Sequence, residues 1–360
     1  MIILYNNRKS YARGNEMKNK KIVILGLNFG KHIADELSAG ILGIELYGVC
    51  DIDEKKTDSI AEKHGVKPFY SLDNVLLDEN VDAIGVFTGP NGRAAIISLI
   101  INSGRDVMTT KPFESNDLSA QKVLEEAEKL GRIIHMNSPN PRPFGEMIKI
   151  QEWIKEGKIG KPTLAHSDVW AYYGPTKAEA GSWYDDPITC PVAPIFRLGI
   201  YPLNNLLTIF GEPEEVQVIT SKIETEKPTP DNASLTIKFT DGAILNLQGS
   251  FVVGGPDKYK NSLTICGTKG VIYFETGPRN RNEYNHATLT LSTDDEILEV
   301  EIKEKSGLYD WEYFLHCVNG GEKDENELTI SQVVKSVKLM KAISKAELSG
   351  QTIKLADFHN

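Results

Sequence analysis

Residues 21–30 read Lys-Ile-Val-Ile-Leu-Gly-Leu-Asn-Phe-Gly, and this run constrains the fold most. A short β-branched apolar stretch ends on Gly26 and opens into a helical pattern near residues 31–37. The alternation continues to residue 136. Strands are expected over residues 44–50, 81–87, 106–109 and 132–136, and helices over 55–64, 93–101 and 118–130. Gly65 and Gly104 follow helices as stops. Strands alternating with helices imply βαβ units and a parallel sheet.

The rhythm changes after about residue 160. Residues 233–239 and 243–253 are strand-like and joined at Asp241-Gly242, a hairpin signal. Residues 262–266 and 271–275 flank Gly267-Thr268-Lys269-Gly270, and residues 288–292 and 297–302 form a third pair. An antiparallel sheet is expected here. Residues 330–348 return to helix, with Thr329 and Gln332 spaced as a capping box. The fold class is α/β followed by α+β: a Rossmann-type parallel sheet domain, then an open antiparallel sheet domain. The expected limits are 1–16 for a tail or start artefact, 17–137 for the first domain and 138–360 for the second. The C-terminal helix is expected to pack back on the first domain.

Composition narrows the function. The chain has 360 residues and a net charge of −10, with lysines spread throughout, so nucleic acid is not an expected partner. No apolar run approaches the ~20 residues that span a bilayer, so no membrane partner is expected. Cys50, Cys190, Cys266 and Cys317 lie far apart with no C-x-x-C, which fits a reducing, cytoplasmic setting. The seven histidines show no metal spacing, so no metal is expected, and His135 reads as a partly buried structural residue.

The chemistry concentrates in the strand-to-helix turns. Gly26, Asn28, Phe29 and Gly30 stand where a backbone meets a pyrophosphate at a helix N-terminus, although G-x-G-x-x-G is matched only in part. Asn28 is read as holding the turn, since Asn tolerates left-handed backbone angles. Asp51 ends the second strand, placed to accept from ribose hydroxyls, and its charge disfavours a 2′-phosphate. NAD is therefore the expected cofactor, with NADP second, and the neighbouring Asp53 is assigned the helix cap. Thr88, Pro90 and Asn91 form a second loop, and Thr110-Lys111-Pro112 a third. A buried Lys in such a loop suits acid–base work.

Together these features resemble the glucose–fructose oxidoreductase / inositol dehydrogenase (Gfo/Idh/MocA) family over roughly residues 20–355. Thr110-Lys111-Pro112 is similar to the family's E-K-P, which implies a catalytic Lys111 and puts Thr110 where a Glu contacts the nicotinamide ribose. Arg197-Leu-Gly-Ile-Tyr201-Pro202 resembles the second catalytic segment, which implies that Tyr201 shares the acid–base work. Arg197 stands where the family commonly has Asp. Trp183 precedes this segment, and Asn137 joins the candidate substrate contacts.

The implied reaction is hydride transfer between nicotinamide and a secondary alcohol of a sugar, polyol or sugar acid. Tyrosine ionises near pH ~10, and nearby positive charge lowers this by favouring phenolate. Arg197 either anchors an anionic substrate or pairs with Asp185 or Asp186. Two other readings stay open: a non-catalytic dinucleotide or sugar sensor, and an NAD-using epimerase or glycosidase with no net redox change. Alternating apolar residues over 245–253 suggest a self-association face, hence a dimer or tetramer.

Overall fold

The computed structural model describes residues 2–5, 19–174, 176–177, 182–255, 258–276, 287–303 and 306–357. Strand β1 (Ile2–Tyr5) falls in the stretch expected to be a tail; the rest of that stretch lies outside the described residues. The chain forms two compact units, and neither is continuous in sequence.

The first unit takes residues 8–142 and then residues 309–334. Its strands are β2 (Lys20–Leu25), β3 (Ile44–Cys50), β4 (Lys67–Phe69), β5 (Ala83–Val86), β6 (Asp106–Thr109) and β7 (Ile134–Met136). Between them run α1 (Leu27–Ser38), α2 (Glu54–His64), α3 (Leu72–Leu77), α4 (Arg93–Asn102) and α5 (Asp117–Leu130). The sheet order is β4-β3-β2-β5-β6-β7 and every pairing is parallel. This is the doubly wound arrangement, with its topological switch between β2 and β5. Helices cover both faces, which is why β5 and β6 are buried along their whole length.

The second unit holds β1, residues 143–308 and residues from 335 onward. It opens with α6 (Glu146–Lys155) and β8 (Pro162–Ala171). A π-helical turn (Ile195–Gly199) leads into α7 (Ile200–Leu206). Strands β9 (Pro213–Ser221), β10 (Asn232–Phe239), β11 (Ile244–Ser250), β12 (Tyr259–Gly267), β13 (Gly270–Thr276), β14 (Ala287–Thr293) and β15 (Ile297–Ile302) follow. The last helices are α8 (Trp311–Val318), which belongs to the first unit, and α9 (Ile330–Ser349), before β16 (Ile353–Lys354). The order β1-β15-β14-β13-β12-β8-β11-β10-β9-β16 makes one ten-stranded sheet.

Three expectations change. The large sheet is mixed, because β8 enters its centre parallel to β11 and antiparallel to β12. The apolar alternation of residues 245–253 serves the core: Leu245, Leu247 and Phe251 are buried, while Ile244 and Gln248 face outward. The C-terminal helix, expected to pack back on the first domain, gives its main apolar face to the core of the second unit. Leu339, Met340, Ala342, Ile343 and Ala346 of α9 join the core under the ten-stranded sheet. It is α8 that returns to the first unit, where Trp311, Phe314 and Leu315 pack with Ile22, Ile33 and Leu46. The capping box forms as read: Thr329 N–H donates to Gln332 Oε1 at 2.9 Å, and Gln332 N–H to Thr329 Oγ1 at 3.4 Å. Among the described residues no helix is long and apolar enough to cross a membrane.

Candidate active site

In the first unit the candidate residues follow strand ends. Asp51 comes after β3, Gly26 after β2, Thr88 after β5, Lys111 after β6 and Asn137 after β7. The sheet order therefore lays Asp51, Gly26, Thr88, Lys111 and Asn137 along one carboxyl-terminal edge in that sequence. At ~4.8 Å per strand, Asp51 and Lys111 lie about 14 Å apart along it.

Gly26 (φ 89°) turns the chain from β2 into α1. A Cβ on it would stand 2.9 Å from the Phe87 carbonyl carbon and the Thr88 nitrogen. One on Gly30 would stand 2.7 Å from the Ile24 side chain, so this glycine lets α1 lie close on β2. Asn28 is not in a left-handed turn: α1 starts at Leu27, and Asn28 is its second residue. Its Oδ1 accepts from Lys56 Nζ at 2.6 Å. Phe29 is part-exposed, with its ring 6.0 Å from Phe87. The N-cap residue of α1 is Gly26, which has no side chain to cap the helix, so the first-turn N–H groups beyond Leu27 suit an anion.

Asp51 links this turn to the next. Its Oδ2 accepts the Leu27 N–H at 2.7 Å and its Oδ1 the Asp53 N–H at 3.1 Å. Each oxygen keeps a lone pair for a further donor. Asp53 caps α2 as expected, accepting the Lys56 N–H at 3.1 Å.

Lys111 is buried, and its N–H donates to Asn137 Oδ1 at 3.3 Å. Thr110 Oγ1 donates to the same oxygen at 3.3 Å and accepts from the Tyr309 hydroxyl at 3.0 Å. Asn137, expected to touch substrate, thus positions the lysine loop. Pro90 is buried and Asn91 exposed in the loop before α4.

Arg93, which the sequence reading passed over, ties these loops together. Its fully buried guanidinium donates to the carbonyls of Thr88, Thr110, Pro112 and Phe113. Glu114 accepts the Gly92 and Ala94 N–H groups, capping α4 from the lysine loop. The available signal was a charge heading an otherwise apolar helix, Arg93-Ala-Ala-Ile-Ile.

The second unit carries the other candidates. Tyr201 lies in α7, one turn after Arg197 in the π-helical segment. The Arg197 Cζ lies 4.6, 4.7 and 4.9 Å from the ring centres of Tyr173, Tyr184 and Phe251. Nearby in sequence, Asp185 holds Lys227 at 2.7 Å and Asp186 accepts the Ile188 N–H. Trp183 is half-buried, its ring 4.1 Å from Tyr184. Gly307 (φ 90°) lies flat on Tyr201, for a Cβ there would come within 2.6 Å of Tyr201 Cδ1. Buried Glu146 holds this loop: it accepts the Ser306 N–H at 2.8 Å and the Ser306 hydroxyl, while Asn205 of α7 donates to Ser306 Oγ at 2.7 Å.

Arg93→Lys is expected to destabilise the first unit by about 2–4 kcal/mol, since an ammonium cannot reach four carbonyls and leaves at least one buried acceptor unpaired. Urea denaturation followed by tryptophan fluorescence measures this. A change below ~0.5 kcal/mol would remove Arg93 from its organising role.

Two family models match the chain in order. One described as "Oxidoreductase family, NAD-binding Rossmann fold" covers residues 20–138, and the "GFO/IDH/MocA C-terminal domain" covers residues 147–273. An uncharacterized oxidoreductase of Schizosaccharomyces pombe is 25% identical over 191 residues, 52% of this chain and 49% of that one. The trans-1,2-dihydrobenzene-1,2-diol dehydrogenase of Oryctolagus cuniculus is 22% identical over 235 residues, 63% of this chain and 66% of that one. The chain thus spans about half to two thirds of the length of these relatives. The aldose-aldose oxidoreductase of Caulobacter crescentus, solved with glycerol, shares the fold with a TM-score of 0.71 at 17% identity, covering 94% of this chain and 100% of that one. A doubly wound sheet, a large mixed sheet after it, and matches to both halves in the same order make this chain a member of the Gfo/Idh/MocA family of oxidoreductases.

Proposed function

We propose that the protein is an NAD-dependent dehydrogenase acting on a secondary alcohol of a sugar, polyol or sugar acid. The observation that carries this reading is the layout of one sheet edge. A ligand touching both Asp51 and Lys111 must be elongated, carry hydroxyls at one end, and cross the N-terminus of α1 between them. A dinucleotide has this form. The residues fit it: a helix N-terminus headed by a glycine for the pyrophosphate, and an anchored carboxylate with lone pairs to spare for the ribose.

The bound nicotinamide would supply the hydride acceptor. The Lys111 ammonium and the Tyr201 phenol form the proposed acid–base pair that handles the alcohol proton. Gly26, Asn28, Phe29, Gly30, Thr88, Pro90, Asn91 and Thr110 are the proposed cofactor contacts, with Arg197 and Trp183 toward substrate. Lys56 supports NADP as a second reading, because its ammonium beside Asn28 could meet a 2′-phosphate. The vicinal-diol activity named for the rabbit relative supports a polyhydroxylated substrate. A second copy of the chain is the proposed partner for the outer face of the large sheet, where Leu164, Ile219, Ile244 and Ile297 are exposed.

Fluorescence titration should show NADH binding more tightly than NADPH. Asp51→Asn should weaken NADH by ~10–100-fold, the value of a hydrogen-bonded charge. A wild-type preference for NADPH would replace NAD by NADP, and binding without turnover on any sugar, polyol or sugar acid would favour the sensor. Net reduction of NAD separates a dehydrogenase from an epimerase or glycosidase. Arg197→Ala should lower kcat/KM about 10–100-fold more on an acidic sugar than on its neutral counterpart; equal losses would end the anion-anchor assignment. Light scattering should give a mass of at least two chains, and a monomer at micromolar concentration would refute self-association.

A further inference from the structure

His135 has unusual company for a structural histidine. His135, Cys317 and Glu327 each offer a ligand atom, and the three atoms lie within 4.8 Å of one another. All three belong to the first unit, His135 on β7, Cys317 on α8 and Glu327 in the turn before α9. His135 and Cys317 are buried, and Glu327 is largely so. The His135 Nε2 faces Glu327 Oε1 at 3.4 Å, a separation that two ligands of one tetrahedral ion can have. A cavity of about 500 Å³ is lined by two of the three, His135 and Glu327, together with Glu128, Lys323 and Pro141.

We propose that His135, Cys317 and Glu327 form a binding site for a divalent ion of the zinc class, outside the dehydrogenase chemistry. The donor set decides the class. Imidazole, thiolate and carboxylate together suit zinc or cobalt, whereas magnesium and calcium take oxygen ligands. Three protein ligands leave a fourth position for water from the cavity. Binding through Cys317 would release its thiol proton to solvent as the sulfur–metal bond forms. The ligands come from β7 and from the returning segment, so the ion would clasp that segment to the sheet. His135 lies two residues before Asn137, whose side-chain Oδ1 accepts the Lys111 N–H. The site therefore sits behind the lysine loop without belonging to it.

The test uses the full-length, tag-free protein, stripped with chelator and then loaded with Zn²⁺ or Co²⁺ alone. About one zinc per chain is expected after desalting, with the melting temperature raised by at least ~3 °C. The cobalt form should show a thiolate-to-metal charge-transfer band. Cys317→Ser should abolish that band, and Glu327→Gln should weaken zinc binding at least ~10-fold. Desalted wild-type protein that holds no zinc would overturn the proposal, as would a cobalt spectrum that Cys317→Ser leaves unchanged. Neither readout depends on turnover, so loss of the dehydrogenase reading would leave this site standing, and the reverse holds.

Discussion

The first unit is organised around one cation that water never reaches. A parallel sheet ends in loops whose carbonyls have no ladder partner, and the loops after β5 and β6 crowd such groups together. Bare, they would repel one another in a low-dielectric interior. The Arg93 guanidinium resolves this with a rigid fork of donors that only Arg possesses. Its attachment to the first residue of α4 fixes that fork relative to the helix, and Glu114 returns the favour by capping the same helix. The lysine loop is thereby held from behind at three carbonyls and from the side by Asn137 and, through Thr110, by Tyr309. A lysine on such a loop has little backbone freedom to lose when it meets a ligand.

The second unit solves a similar problem with the opposite charge. Tyr201 and Arg197 sit where a π-turn passes into α7, a place where the helix ladder is irregular. Glu146, buried at the head of α6, gathers Ser306 and Asn205 and so presses Gly307 onto the Tyr201 ring. Arg197 is boxed by three aromatic rings, which restrain the guanidinium plane and leave its edge as the polar part.

Much of this was legible because local rules carry it. The Rossmann-type strands and helices follow from apolar runs and glycine stops, the Asp241-Gly242 hairpin from turn chemistry, and the α9 cap from Thr329 and Gln332. Asp53 reads as a cap because its role is satisfied three residues away. The rest depends on partners distant in sequence. Nothing near Arg93 announces four carbonyl acceptors, and nothing near Glu146 announces Ser306. Asn28 was misread because a broken glycine pattern suggested a strained turn, whereas the helix begins early enough that Asn occupies an ordinary helical position. The 245–253 alternation was read with the right period and the wrong face, since a period of two is the same on either side of a sheet.

The return of α8 to the first unit bears on how such a chain can be rearranged in evolution. A cut near residue 142 looks like a natural seam, yet it would carry away Trp311 and Phe314, which fill the interior beside β2 and β3. A nucleotide-binding module exchanged at that seam would inherit a plug shaped for another core. A transplant of the first unit therefore has to carry residues 309–334 with it, so that the core keeps the plug it was shaped around.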